Sequence, residues 1–194
     1  MTRYARTLPP EYFEARYAAD PDPWRFETSD YERAKYDATL AALPHPHFAS
    51  ALEVGCSIGV LTRQIAERCD RLVALDVAEI ALDRARERCH AQDHVVFIRG
   101  QVPGEWPDGP FDLILLSEVI YYLEASDVGR LARLVQTTLR PDGYVVLVHW
   151  TGDTHYPLTG DQAADLFISE TACFMAPITA ARTDAYRLDV LARR

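Results

Sequence analysis

The chain has 194 residues, 48% of them hydrophobic and 25% charged, which suits one compact domain with its own core. Its 29 acidic residues outnumber 20 basic ones and give a net charge of −9, so we expect no nucleic-acid partner, because such a surface repels phosphate. No apolar run approaches the ~20 residues that span a membrane and no signal-peptide core is visible, so we expect a cytoplasmic protein without a membrane partner.

The first 44 residues are predicted to form a helical segment ahead of the main fold. A helix is expected over residues 11–19, and the Asp-Pro-Asp-Pro run at 20–23 ends it, because proline cannot continue the hydrogen-bond ladder. A second helix is expected over residues 30–43. Ser29 or Asp30 caps its start and Pro44 stops it.

From residue 51 onward, short apolar runs alternate with amphipathic segments. The predicted strands are residues 51–54, 72–75, 95–98, 111–116 and 144–149, and the predicted helices are 61–69, 79–89 and 126–139. Strands that are apolar throughout and alternate with helices indicate a parallel sheet covered on both faces. Residues 45–194 therefore predict a doubly wound α/β core, with the whole chain as a single domain.

The C-terminal stretch departs from this alternation of strands and helices. Thr159 and Gln162 fit a capping box for a short helix that runs through residue 168. Two β-like runs follow, at residues 173–181 and 185–192. Runs joined this tightly must pair antiparallel, since a parallel crossover needs about a dozen residues. We therefore expect a mostly parallel sheet that closes on an antiparallel hairpin.

The cysteines and histidines favour no metal site. The four cysteines, at positions 56, 69, 89 and 173, are isolated and form no C-x-x-C pair. The close histidine pair His45 and His47 lies in a proline-flanked linker without neighbouring carboxylates or cysteines. We expect reduced thiols and no bound metal.

Two consecutive strand ends indicate a nucleoside cofactor. The first strand runs into a glycine turn that holds Gly55 and Gly59, and the second ends in Asp76, 17 residues past Gly59. Glycines there allow close backbone approach, and a carboxylate at the second strand end can accept both hydroxyls of a ribose. An ordinary tight turn and a helix-capping aspartate are the alternatives.

The turn does not match a nicotinamide fingerprint. If Ser57 and Gly59 stand for the first pair of G-x-G-x-x-G, the third glycine is replaced by Thr62. The E-x-G-x-x-x-G turn, the single domain and the terminal hairpin together favour S-adenosylmethionine. A nicotinamide reductase is the weaker alternative.

At this point the chain resembles the class I S-adenosylmethionine-dependent methyltransferases over residues 45–194. The matching segments are residues 53–59, Asp76, residues 111–114 and the Leu-Arg-Pro-Asp-Gly run at 139–143. Asp142 stands where these enzymes usually carry glycine, and Ser57 replaces their middle glycine.

A narrower resemblance, to the nodulation protein S family, covers almost the whole chain. Its marks are Pro-Trp-Arg at 23–25, Glu-Arg at 32–33 with Tyr36, Leu-Glu-Val-Gly-Cys at 52–56, and Glu-Val-Ile-Tyr-Tyr-Leu at 118–123. The type member of that family N-methylates a glucosamine amine of a chito-oligosaccharide. The resemblance implies the same cofactor chemistry, and it weakens after His149.

The resemblance also implies roles for individual residues. It implies that the N-terminal segment folds over the cofactor as a lid, with Arg25 or Arg33 on the cofactor carboxylate and Gln101 beside the adenine. The full set of expected cofactor-binding residues is Trp24, Arg25, Tyr31, Arg33, Glu53, Gly55, Cys56, Ser57, Gly59, Asp76, Val77, Gln101, Val102 and Ser117.

Two residues are candidates for the catalytic base. Glu118 ends the fourth strand and His149 the fifth, and either would take a proton from an amine acceptor. A helix N-terminal acid and a hydrogen-bonded wall residue are the respective alternatives. The residues expected to contact the acceptor are Tyr121, Tyr122, Trp150, His155 and Tyr156.

The sequence therefore predicts an N-methyltransferase that acts on a small amine, such as an amino sugar. An O-methyltransferase acting on a hydroxylated natural product and a non-catalytic partner subunit of the same fold remain as alternatives. A nucleic-acid aminomethyltransferase is disfavoured, because such enzymes carry an Asn/Asp-Pro-Pro-aromatic turn where this chain has Ser-Glu-Val-Ile at 117–120. The oligomeric state stays open.

Overall fold

The computed structural model describes residues 3–194. Their helices are α1 (Pro10–Ala19), α2 (Asp30–Ala41), α3 (Val60–Ala66), α4 (Glu79–Arg88), α5 (Ala125–Thr138) and α6 (Gly160–Thr171), with a 3₁₀ turn at Ile120–Tyr122. Their strands are β1 (Ala51–Val54), β2 (Leu72–Asp76), β3 (Val95–Arg99), β4 (Phe111–Ser117), β5 (Leu139–Trp150), β6 (Met175–Arg182) and β7 (Tyr186–Arg193).

Within the described residues, the seven strands form one sheet in the order β3-β2-β1-β4-β5-β7-β6. The first five are parallel, and β7 pairs antiparallel with both β5 and β6. Strands β1 and β2 are buried along their whole length, as expected for a sheet covered by helices on both faces. The predicted doubly wound sheet with an antiparallel C-terminal hairpin is confirmed.

The ends of several elements differ from the predictions, and two of these differences follow from contacts distant in sequence. Helix α3 stops at Ala66 rather than at residue 69, since Cys69 forms a β-bridge with Phe48. Strand β5 begins at Leu139, five residues early, because Leu139 pairs with Phe111. Helix α6 runs three residues beyond residue 168, and its capping box between Thr159 and Gln162 is present as predicted.

The sheet ends on one side at β6, an edge strand. Pro177 lies inside this strand, and the pairing with β7 shifts register between Pro177 and Thr179. Proline cannot donate a ladder hydrogen bond, so it is tolerated at an edge or bulge. In the part of the chain that the structure describes, no helix combines the length and apolar character needed to cross a bilayer.

Candidate active site

A cavity of about 400 Å³ opens at the carboxyl ends of the parallel strands. Its floor is formed by the residues that follow β1, β2, β3 and β4, and the N-terminal segment covers it with Leu8, Phe13 and Tyr17. Ligands of open α/β sheets bind at this edge. Fourteen of the residues expected from sequence line the cavity: Trp24, Tyr31, Gly55, Ser57, Asp76, Val77, Gln101, Val102, Ser117, Glu118, Tyr121, Tyr122, Trp150 and Tyr156.

The glycine turn and Asp76 are bonded to each other. Gly55 has a φ of +78°, and a Cβ there would lie 2.4 Å from Val119 Cγ2, so only glycine fits this position. Asp76 Oδ2 accepts a hydrogen bond from Ser57 N at 2.8 Å, and Oδ1 accepts one from Ala78 N at 2.9 Å. Ala78, not Asp76, is the N-cap of α4. The carboxylate is therefore fixed at the cavity edge by backbone amides.

The N-terminal segment is attached to the sheet at three points around the cavity. Tyr17 Oη, on α1, lies 2.5 Å from Ser57 Oγ. Gln101 Nε2 donates to Leu8 O, and Leu8 N donates to Tyr122 O, both at 2.9 Å. Tyr17 was not among the residues expected from sequence, because nothing in the pattern of α1 shows which strand end it meets.

The two arginines expected to bind a cofactor carboxylate do not line the cavity, and their role toward the cofactor stays a prediction. Arg25 is exposed in the loop before α2, and Arg33 forms only a surface ion pair with Asp30 at 3.4 Å. For Arg33 the reason is helical phase, because the buried face of α2 carries residues 32, 35, 36 and 39. Lys35 is the one basic side chain among the described residues that lines the cavity.

Lys35 was not predicted as a site residue, although the amino-acid composition distinguishes it from every other residue of the chain. It is the only lysine of the chain, and the other 19 basic residues are arginines. Its side chain is 2% exposed, and its Nζ lies 2.6 Å from Glu118 Oε1 and 3.1 Å from Glu32 Oε1. The Nζ also lies 5.2 Å from the centre of the Tyr31 ring, within the range of a cation–π contact.

Glu118 is held by three donors. Besides Lys35, Tyr121 Oη donates to Oε2 at 2.6 Å and Trp150 N donates to the same oxygen at 3.0 Å. Glu118 adopts a φ of +57°, which is uncommon for a residue with a side chain. Burial alone would raise its pKa, but the Lys35 ammonium and the hydrogen bonds outweigh burial and lower the pKa.

His149 lies behind the cavity wall. It is fully buried, and its Nε2 accepts a hydrogen bond from Ile120 N at 3.3 Å. Burial lowers its pKa to about 4, so the ring is neutral near pH 7. The ring packs against Tyr121, with centroids 5.4 Å apart. This geometry matches the role of a hydrogen-bonded wall residue, and His149 does not line the cavity. The side chain of His155 does not line the cavity either.

Three other expected cofactor residues lie beneath the floor of the cavity. Glu53 and Cys56 border a separate space of about 30 Å³, which is the size of a water molecule. Glu53 is 2% exposed, and burial raises its pKa to about 7. A Cβ on Gly59 would lie 2.9 Å from Ala85 Cα, so this glycine allows the turn to pack against α4. These residues shape the turn without facing the cavity.

Tyrosines form the wall of the cavity on the side of β5. The rings of Tyr121 and Tyr156 stack with centroids 5.2 Å apart, and Tyr122 meets Tyr156 edge-on at 4.5 Å. Three carboxylates (Glu32, Asp76 and Glu118) and one ammonium line the cavity, so its ionised lining carries a net charge of −2. A cationic ligand therefore fits this lining better than an anionic one.

Known proteins resemble this chain in sequence and in fold. The sequence profile described as nodulation protein S (NodS) matches residues 11–150. Nodulation protein S of Rhizobium tropici is 36% identical over 135 residues, which are 68% of this chain and 56% of that protein. The matched part therefore spans little more than half of the relative.

Two solved structures agree with this relationship. A presumed methyltransferase of Pseudomonas syringae has a TM-score of 0.75 and is 34% identical, over 84% of this chain and 99% of that one. The N-methyltransferase NodS of Bradyrhizobium japonicum, in complex with S-adenosyl-L-homocysteine, has a TM-score of 0.81 over 95% of this chain and 98% of that one. At 22% sequence identity, this structural likeness demonstrates a shared fold. With the family profile covering most of its length, this chain belongs to the nodulation protein S family.

Proposed function

We propose that this chain is an S-adenosylmethionine-dependent methyltransferase that methylates the amine of a small molecule. The observation that carries the proposal is the 400 Å³ cavity at the carboxyl edge of the sheet, a volume within the range of about 300–1,000 Å³ typical of ligand sites. Membership of a family with an N-methyltransferase among its solved structures supports the same chemistry.

The residues that line the cavity suit this cofactor. Asp76, oriented by two backbone amides, would accept the ribose hydroxyls. Gln101, with Val77 and Val102 beside it, offers a polar edge and apolar surface for adenine. Gly55 leaves room for the methionine part. The cofactor carries a net charge of +1, which matches a lining of −2.

For methyl transfer the protein mainly has to align the two reactants and exclude water from the site. The bound cofactor supplies the methyl group, and the chain must present a nucleophile in line with it. Ser117 ends β4 and Glu118 follows it beside the glycine turn, so they border the place where the two reactants would meet. Tyr121, held by Glu118, and Trp150 would exclude water there.

The acceptor is proposed to be a small amine, and an amino sugar is the first class to test. Tyr122, Trp150 and Tyr156 give aromatic surfaces that suit the face of a sugar ring or a cationic amine. The acidic lining favours an ammonium over an anionic acceptor. The same charge, together with the −9 of the whole chain, disfavours a nucleic acid.

Calorimetric titration with S-adenosylmethionine and S-adenosylhomocysteine tests the cofactor. Wild type is expected to bind both at micromolar dissociation constants, about −8 kcal/mol. Asp76→Asn should weaken binding about 10- to 100-fold, because hydrogen bonds to a charged group contribute about 1.5–3 kcal/mol.

Asp112→Asn is the matched control. Asp112 also accepts hydrogen bonds from two backbone amides, those of Ala49 and Ser50, but it lies at the opposite end of the sheet. The control should bind like wild type. Folded wild-type protein that binds neither ligand, or equal losses in the two variants, would contradict the proposed cofactor site.

A further inference from the structure

Helix α2 places a second carboxylate beside Glu118, inside the same cavity. Glu32 and Glu118 both contact the Lys35 ammonium, at 3.1 Å and 2.6 Å, so a single nitrogen atom separates the two acids. All three side chains line the cavity. An amine acceptor that reaches the end of β4 therefore meets two carboxylates in different environments.

Glu118 is poorly suited to accept a proton. Both of its oxygens already accept hydrogen bonds, from Lys35, Tyr121 and Trp150. Donors of this kind stabilise the ionised form. A carboxylate with this many donors orients the neighbouring side chains but is a weak base.

Glu32 is the opposite case. It is 7% exposed, and its Oε2 has no aligned hydrogen-bond partner, although Lys35 Nζ lies 3.0 Å away. The hydroxyl of the adjacent Tyr31 is also buried without a partner. Burial raises the pKa of Glu32, and Lys35 and Tyr36 oppose this only in part, while Glu118 adds to it. Glu32 therefore has fewer aligned donors than Glu118 and keeps an acceptor position, in a cavity whose acidic lining favours a cation.

We propose that Glu32 binds the ammonium of the acceptor and removes its proton before methyl transfer. This inference rests on the proposed function. In the proton transfer an N–H bond of the acceptor breaks, an O–H bond forms on Glu32, and the nitrogen regains its lone pair. That pair forms the new N–C bond, the sulfur of the donor keeps the electrons of the broken S–C bond, and the proton on Glu32 passes to water.

Lys35 acts in this scheme as a positioning residue. Its ammonium holds Glu118 and lies 3.0–3.1 Å from both oxygens of Glu32, which fixes the Glu32 carboxylate in the lining of the cavity. The burial that would lower the pKa of Lys35 is outweighed by the two carboxylates, so its pKa is raised and it remains a cation. Lys35 is therefore not the group that takes the proton.

The test compares Glu32→Gln, Glu32→Asp and Asp30→Asn with wild type. Asp30 lies on the same helix, exposed, and serves as the matched acid. Turnover is measured from pH 6 to pH 10 with glucosamine, a chito-oligosaccharide bearing a free terminal amine, and ethanolamine. At pH 7, Glu32→Gln should lose about 100-fold in kcat, the scale of a general base. This deficit should shrink as the pH approaches the pKa of the acceptor amine, because the solvent then supplies the free base.

Two further results are expected. Glu32→Asp keeps a carboxylate and should retain the pH profile of wild type at a reduced rate. A packing defect in Glu32→Gln, in contrast, would lower the rate of that variant equally at every pH. Calorimetry at saturating S-adenosylhomocysteine should detect weaker binding of the protonated amine to Glu32→Gln. Asp30→Asn should match wild type in both measurements.

The outcomes separate this inference from the function on which it rests. If wild type binds no cofactor, or binds it and methylates none of the three amines, the proposed function fails and the role of Glu32 with it. If wild type is active and Glu32→Gln shows the same rate and pH profile, or a deficit that does not change with pH, the proposed role of Glu32 alone is overturned.

Discussion

Lys35 Nζ lies 2.6 Å from Glu118 Oε1, although 83 residues separate the two in the chain. The contact joins the N-terminal helix α2 to the end of the central strand β4. Both charges are largely buried, with side-chain exposures of 2% and 15%. The part of the cavity at the end of β4 is therefore joined to the N-terminal segment by a buried ion pair.

Removing the Lys35 charge should destabilise the fold. Lys35→Met leaves Glu32 and Glu118 facing each other in a buried site, and breaking a buried pair costs about 3–5 kcal/mol. Urea unfolding measures the loss. The double variant Lys35→Met/Glu118→Gln should recover a large part of it, because one of the unpaired carboxylates is then neutral.

Arg33→Met is the control for this prediction. Arg33 is a basic residue of the same helix, but its ion pair with Asp30 is solvent-exposed, so its loss should cost less than about 1 kcal/mol. Equal costs for the two single variants would mean that the Lys35 cluster adds no more to stability than a surface pair.

The bond between Tyr17 and Ser57 should contribute to ligand binding. Tyr17→Phe removes the hydroxyl that lies 2.5 Å from Ser57 Oγ and leaves the ring against Trp24. A hydrogen bond of this kind contributes about 1 kcal/mol, so binding of S-adenosylhomocysteine should weaken about five-fold by calorimetry.

Tyr12→Phe is the matched variant on the same helix, since Tyr12 does not line the cavity and its hydroxyl accepts a hydrogen bond from the exposed Arg16. It should leave the affinity unchanged. Equal affinities for wild type and both variants would show that the segment covers the cavity without helping to hold its ligand.

Glu53 and His149 should give stability opposite dependences on pH. Burial raises the pKa of Glu53 to about 7, so the protonated carboxyl stabilises the fold below its usual pKa of 4.5, and this contribution is lost as the pH rises to 7. The pKa of His149 is lowered to about 4, so the neutral ring stabilises the fold above pH 6.5, and this is lost as the pH falls to 4.

Single variants separate the two contributions. The unfolding free energy of Glu53→Gln minus that of wild type should increase by about 3 kcal/mol between pH 4.5 and 7. The same difference for His149→Asn should increase as the pH falls from 6.5 to 4. Urea titrations across this range measure both, and parallel curves for wild type and Glu53→Gln would show that Glu53 keeps an ordinary pKa.

Much of the fold could be predicted because its signals are local. Apolar strands, the glycine turn and the capping box at Thr159 each specify their own segment. The ends of elements were less predictable where a distant partner decides them. Leu139 becomes part of β5 through Phe111, and α3 stops early because Cys69 pairs with Phe48.

The candidate site divides in the same way. Residues at strand ends, such as Asp76 and Ser117, were found because parallel strands bring their carboxyl ends to one edge. In the N-terminal segment, Trp24 and Tyr31 were found, but Tyr17 and Lys35 were not, since their place depends on how that segment packs. The helical phase of α2 turns Arg33 outward and Lys35 inward, and the absence of any other lysine was the signal that could have pointed to it.

The single lysine has a consequence for the surface of the molecule. Lys35 is enclosed by two carboxylates and is 2% exposed, while the other residues counted in the 20 lysines and arginines all carry guanidinium groups, which are weak nucleophiles. The proposed methyltransferase, which would alkylate amines, therefore presents no lysine on its exterior to neighbouring copies of itself. Amine-selective labelling of side chains would likewise report on one position, and that position lies inside the cavity.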